Sequence, residues 1–297
     1  MNKALALAAL LVLASCGQRS GPPLQNSPTF VVGEPYQQNG VWRYPRAEYG
    51  VDQTGLATTA PDHVGQTADG EIFDQTAMAA GHRTLQLPAI VRVTNLENGR
   101  QIVVRVNDRG PPQPSRLLAL TKRAAKLLDI RADGTRIRVQ MLDTETRQLQ
   151  AELASDGPKL DLASAPREAI AVETLSAPGG TAQSSHIRVA AARVEPVMRT
   201  ASAGTAVLLR LPEAVTQGYV SPAKLFIDAG SFGRQDYALI LVNRLAYLGA
   251  RLTTSHTAPR EKAYRIRIGP FASVPEAEAM LERTISAGVN DAAIVVE

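Results

Sequence analysis

Two folded domains are what this sequence predicts, a mainly β one followed by a smaller α+β one, with a long linker between them. Three observations carry that reading. Two alternating strand-like runs lie at residues 90–94 and 101–106, the texture changes at residue 144, and one strand–Gly-x-Phe–helix phrase occurs twice after residue 222. A chain of 297 residues has room for about two domains of ~100–200 residues each. Its 44% hydrophobic and 20% charged residues indicate a globular protein. Aromatics are only 4%, so the cores rest on Val, Leu, Ile and Ala. The formal charge of +4 is mildly basic, compatible with an anionic polymer, and decides little alone.

In chain order, Lys3 and the apolar run at residues 4–14 have the n-region and h-region of a secretory leader, too short to span a bilayer. The run ends in Leu13-Ala14-Ser15-Cys16-Gly17, which resembles a bacterial lipobox. That resemblance implies lipidation of Cys16, the only cysteine, and no aspartate follows it, which favours the outer membrane. The alternative is an ordinary signal peptide with an incidental cysteine. Residues 1–16 are thus read as a lipoprotein leader and the Gly-, Pro-, Ser- and Gln-rich residues 17–35 as a flexible tether.

Residues 36–143 make the β domain. Trp42 and Tyr44 are expected to pack on its wall. In the second strand-like run Ile102, Val104 and Val106 alternate with more exposed positions, as a half-buried strand requires. Asn98-Gly99 between the runs signals a type I′ hairpin. The hairpin delivers Asn107-Asp108-Arg109 at a strand end, before a sharp Gly110-Pro111 turn. Leucines at 3–4 residue spacing predict a helix over 117–130, and 136–142 alternates as a closing strand. From 144 to 221 Ala, Ser, Thr, Pro and Gly dominate without lasting periodicity, so the stretch is read as a disordered linker. His186 lies in it and is read as a solvated side chain.

Residues 222–297 predict the order βαββαβ, four strands with two helices on one face. Gly249 sits where a helix C-cap belongs, and Ser273-Val274-Pro275-Glu276 reads as a capping box. Phe232 and Phe271 are read as core, and some of Arg265 and Arg267, with Tyr264 beside them, as candidate ligand contacts.

The linked motifs Thr67-Ala68-Asp69-Gly70-Glu71, Ala79-Ala80-Gly81-His82-Arg83-Thr84-Leu85 and Val106-Asn107-Asp108-Arg109-Gly110-Pro111 resemble the RlpA (rare lipoprotein A) family. The resemblance implies a double-psi β-barrel and, for some members, a peptidoglycan lytic transglycosylase. It places the functional carboxylates at Glu71 and Asp108, with His82 nearby. Asp108 is taken as the acid/base and Glu71 as positioning the sugar or stabilising charge; the reverse assignment stays open. His82 is counted with the site, as structural support ahead of direct chemistry. Asn107 and Arg109 are candidate substrate contacts, Arg109 pointing away from Asp108 or toward substrate. Two departures stand out: Thr58-Thr59-Ala60-Pro61 where the family usually has Ser-Trp-Tyr-Gly, and Ala119 where it often has Asp.

The C-terminal segment resembles the SPOR domain, which implies binding to peptide-stripped glycan strands at division septa. An amidase acting first, and cooperation with division partners, follow from the same resemblance. No cofactor is expected, and His63, His82, His186 and His256 show no metal-ligand spacing. A βαββαβ sheet with aromatics also resembles an RNA-recognition fold, but export argues against a nucleic-acid partner. The expected activity is endolytic cleavage of glycan strands with 1,6-anhydro product, on a septal, lipid-anchored periplasmic protein. The alternatives are a non-catalytic septal peptidoglycan-binding lipoprotein with a degenerate barrel, and wall loosening without bond cleavage.

Overall fold

The computed structural model describes residues 26–155, 210–220, 223–258 and 261–297. Cys16 and its leader, His186 and residues 156–209 of the expected linker lie outside them.

A lead-in hairpin of β1 (Tyr36–Gln38) and β2 (Val41–Arg43) turns at Asn39-Gly40, with φ of 51° and 76°. Positive φ at both positions is the type I′ geometry. Alternation along β2 buries Val41 and Arg43 and turns Trp42 outward, 50% exposed, while Tyr44 beyond the strand is 57% exposed. The expected packing of these two aromatics on the barrel wall is therefore not what forms.

Six strands close a barrel: β3 (Asp52–Thr59), β4 (Ala79–His82), β5 (Ala89–Asn95), β6 (Arg100–Asp108), β7 (Leu118–Leu120) and β8 (Thr135–Met141). Their neighbour order is β4-β7-β3-β8-β5-β6, and a parallel β4–β6 pairing completes the ring. Val91, Val93, Ile102, Val104, Val106, Ile137 and Val139 fill it. These β-branched residues suit the pleated inner wall.

Three expectations change locally. Between β5 and β6 only Gly99 takes positive φ (77°), and the turn is a four-residue one closed by Gly99 N–H donating to the Asn95 carbonyl at 2.8 Å. The side-chain amides of Asn95 and Asn98 both donate to the Leu128 carbonyl at 3.0 Å, which pins the turn to the neighbouring helix end. The expected helix over 117–130 is instead β7 followed by a shorter helix, α1 (Lys122–Leu127), capped by Thr121. Strand pairing to both β3 and β4, with Leu118 and Leu120 wholly buried, outweighs their helical spacing. The linker expected from 144 opens with a helix, α2 (Asp143–Ser155), that lays Leu149 and Leu153 over Ile90. Two leucines among polar side chains are too sparse to show as periodicity. Near the other end, β9 (Thr216–Gln217) pairs with β6 at Arg100 and Gln101.

The second domain has the expected order: β10 (Leu225–Phe232), α3 (Gln235–Arg244), β11 (Arg251–Ala258), β12 (Glu261–Phe271), α4 (Val274–Ser286) and β13 (Ala293–Val296). Its antiparallel sheet runs β11-β12-β10-β13. Gly249 takes φ of 79° after the 3-10 turn Ala246–Leu248, where a β-carbon would be strained. Ser273 Oγ accepts from Glu276 N–H at 3.4 Å, and Glu276 Oε2 accepts from Ala272 N–H at 3.1 Å. This domain docks on β3 of the barrel. Leu56, fully buried, packs with Leu225, Ile227 and Ile294, and Val296 N–H donates to Thr54 Oγ1 at 2.9 Å.

Candidate active site

The loop at residues 66–72 folds onto the end of β6. A bridge between Gln66 and Ile72 closes it, and Gly70 turns it with φ of 93°. Inside, Asp69 Oδ1 accepts from Thr67 Oγ1 at 2.7 Å and from Glu71 N–H at 3.1 Å. Asp69 N–H donates to the Asn107 carbonyl at 3.2 Å, which ties the loop to the strand.

Glu71 is buried and faces Arg105 and Asn107, both on β6. Arg105 Nη2 lies 2.6 Å from Glu71 Oε2, and Asn107 Nδ2 donates to the same oxygen at 2.7 Å. Both side chains of the ion pair are nearly sealed from water, at 6% and 5% exposure. Asn107, expected as a substrate contact, thus clamps Glu71 with its amide. Asp69, which sequence reasoning passed over, is 1% exposed. Burial, then the Glu71 charge, pushes its carboxyl up to about 7. The signal available in the sequence was a second carboxylate two residues before Glu71, across a glycine.

Asp108 stands apart from this cluster, at the wall of a cleft of about 180 Å³. His63, Phe73, Pro111 and Pro112 line the same cleft. Asp108 Oδ1 accepts from Ala68 N–H at 3.0 Å and Arg109 N–H at 2.8 Å. Desolvation raises the Asp108 carboxyl above the usual range, against those two N–H donors. Glu71 does not line this cleft, and the two carboxylates occupy different environments. Ala60, Pro61 and Ala119 do line it, so both departures from the family pattern fall at this wall.

Arg109 points away from Asp108, one of the two expected orientations. Its guanidinium donates to the carbonyls of Leu85 and Val32 and fastens the segment before β1 to the barrel. His82 is buried on the other side of β4. Its Nδ1 accepts from Thr84 N–H and Leu85 N–H, both at 3.2 Å. Burial and the charges of Arg83, Arg109 and Arg46 press its pKa down to about 3, so the ring is neutral. The histidine at the Asp108 cleft is the exposed His63, whose ring lies 3.8 Å from that of Phe73.

In the second domain Arg265 and Arg267 face a larger cleft against the barrel. Tyr264 packs instead against the core around Ala238 and Leu245. Phe271 is buried and Phe232 half-buried, both in core clusters.

Family models match two stretches of the chain: residues 53–141 match "Lytic transglycolase" and residues 221–295 match "SPOR domain". A protein of Pseudomonas aeruginosa, "Endolytic peptidoglycan transglycosylase RlpA", is 31% identical over 83% of this chain and 71% of its own length. The chain belongs to the RlpA family. Relatives from Yersinia pestis and Escherichia coli K12 carry the same name. The first is 43% identical over 38% of this chain and 32% of that protein, the second 45% over 29% and 24%. The six-stranded barrel is accordingly the double-psi β-barrel of RlpA proteins, and the βαββαβ unit is their SPOR domain.

Proposed function

We propose that the barrel is an endolytic peptidoglycan lytic transglycosylase with Asp108 as acid/base. One observation carries this reading: a strand-end carboxyl, raised by burial, on a cleft wall with only Oδ1 fixed by backbone donors. A raised pKa keeps a proton available for the glycosidic oxygen. As the C1–O4 bond breaks, Asp108 gives that proton; it then takes one from the muramic acid 6-hydroxyl, whose oxygen closes on C1. The nucleophile belongs to the substrate, so no site for an attacking water is needed.

Glu71 is the positioning carboxylate in this proposal. Its charge is offset by Arg105, while its bonds hold Asn107 and the loop whose Ala68 N–H orients Asp108. His82, neutral and fixed by backbone donors, supports β4. The SPOR domain brings the enzyme to septal strands stripped of stem peptides, which implies a preceding amidase and cooperation with division partners. Lipidation of Cys16 would anchor the protein in the outer membrane, facing the periplasm. A non-catalytic binding protein is the second reading, favoured by one observation: Ala60, Pro61 and Ala119 make part of the cleft wall apolar.

The test uses soluble protein from residue 17 onward, incubated with sacculi and with amidase-treated strands. Mass spectrometry should find 1,6-anhydro ends, abolished in Asp108→Asn and strongly reduced in Glu71→Gln. Reducing ends would replace the 6-hydroxyl mechanism by hydrolysis. Binding without any product would favour the second reading.

A further inference from the structure

Two buried arginines of the first domain, one in the lead-in hairpin and one in the barrel, line one cleft without a carboxylate in contact among the described residues. Arg43, at the end of β2, is 6% exposed, and its Nε has no hydrogen-bond partner among the described residues. Arg83, just after β4, is 9% exposed and donates from Nη1 to the Pro114 carbonyl at 3.0 Å. Burial, and then the Arg43 charge, lowers the Arg83 pKa to about 10, so it stays charged at neutral pH. Neither forms an ion pair among the described residues, whereas four other arginines of the same cleft do. Arg46 pairs with Glu48, Arg138 with Asp52, Arg267 with Glu297, and Arg116 with both Asp133 and Glu278. Asp291, exposed on the opposite wall, is the carboxylate among the described residues whose field reaches Arg43 and Arg83.

A buried guanidinium without a counter-charge is strongly unfavourable, and elsewhere in this barrel Arg105 has its carboxylate. An anion between Arg43 and Arg83 would relieve both desolvation and mutual repulsion. Room for one exists, because both line the cleft of about 810 Å³ between the barrel and the SPOR domain. Across it stands Arg265, also without an ion pair among the described residues. Tyr44 offers an exposed aromatic face on the same cleft. Guanidinium forks for carboxylates beside an aromatic face for a ring suit a sugar polymer that carries carboxylates.

We propose that Arg43 and Arg83 form the barrel's half of a carboxylate-binding site, completed by Arg265, that grips a carboxylate-bearing glycan strand between the two domains. The inference rests on the glycan-cleaving function and adds a grip outside the Asp108 cleft. β4 borders both clefts, with Gly81 lining the Asp108 cleft and His82 the arginine cleft. A strand held here is presented on the neighbouring face of the element that carries the acid's wall. The carboxylates could come from muramic acid lactyl ethers or from stem peptides, and the test separates these sources.

The mature chain from residue 17 is titrated against three end-labelled probes, with anisotropy as readout. The probes are amidase-treated strands, the same strands with carboxyls converted to methylamides, and peptide-bearing strands. Arg43→Gln and Arg83→Gln should each weaken binding of the carboxylate strands by about tenfold, the scale of a charged hydrogen bond. Binding of the methylamide strands should not change with these substitutions. Asp291→Asn, an exposed change that does not threaten the fold, should tighten the carboxylate strands by removing a competing anion. A loss confined to peptide-stripped strands assigns the lactyl carboxylate, a loss confined to peptide-bearing strands assigns stem-peptide carboxylates, and an equal loss on both shows that the site takes either. Variants that bind every probe like wild type, or that weaken methylamide and carboxylate strands alike, overturn the arginine site alone. Absence of wild-type binding to all three probes would instead remove the glycan function beneath it.

Discussion

Replacing Asp69 by Asn should make the barrel more stable at alkaline pH and change it little in acid. The native carboxyl titrates near 7 against an ordinary value of 3.8, so the folded state binds this proton more tightly than the unfolded chain. Stability from this group is therefore full below pH 3.8, falls as pH rises, and is lost above about 7. Each pH unit in that window is worth about 1.4 kcal/mol, giving about 4 kcal/mol as an upper figure. Asparagine keeps an Oδ1 for Thr67 Oγ1 and Glu71 N–H and carries no charge to bury. Asp69 Oδ2 and Glu71 Oε1 both lack a hydrogen-bond partner among the described residues, so an amide nitrogen at Oδ2 adds no lost acceptor bond. Urea unfolding of the mature chain can be followed by Trp42, the single tryptophan, which reports on the barrel's lead-in hairpin. The gap between variant and wild type should be near zero at pH 4 and grow to several kcal/mol at pH 8. A gap independent of pH would refute the assignment of a buried, proton-holding Asp69.

His82 should give the opposite slope. Its folded pKa of about 3 lies below the ordinary 6.5, so its stability is complete above 6.5 and fades as pH falls toward 3. By pH 5 about 2 kcal/mol should be lost, and His82→Asn, whose carbonyl can accept in place of Nδ1, should abolish that loss in the same urea assay. Arg105→Met should destabilise the barrel by about 3–5 kcal/mol, because Glu71 stays buried without its cation. A thermal shift smaller than that of an exposed arginine variant would count against the buried pair. Leu56→Ala should cost about 2–5 kcal/mol and loosen the docking of the SPOR domain. Limited proteolysis would then cut between the domains faster than in wild type, and an unchanged cleavage rate would contradict the docking described.

Much of the candidate site was legible because its residues are local in the chain. Asp108 at a strand end before Gly110-Pro111 follows from short-range rules and ends β6, whereas Glu71 was placed by the family motif and its burial against Arg105 came only with the fold. Short range also misled. Leu118 and Leu120 fit a helix by spacing but form β7, because two partner strands and a barrel core claim them. Asn98-Gly99 looked like a type I′ pair, yet amide bonds to Leu128, 30 residues on, set a different turn. The true type I′ turn is Asn39-Gly40.

What the sequence determined by itself is what depends on neighbours along the chain: strand alternation, the repeated βα phrase, helix caps and the order of motifs that marks the RlpA family. What the tertiary structure decided depends on distant groups and on exclusion of water. Asp69 becomes a proton holder only because the fold seals it beside Glu71. Arg109 becomes a strap through carbonyls 77 and 24 residues away. His82 leaves the Asp108 cleft because β4 turns it to the opposite side. Burial sets the energy of a charge, and no spacing along a chain encodes which charges will be buried together.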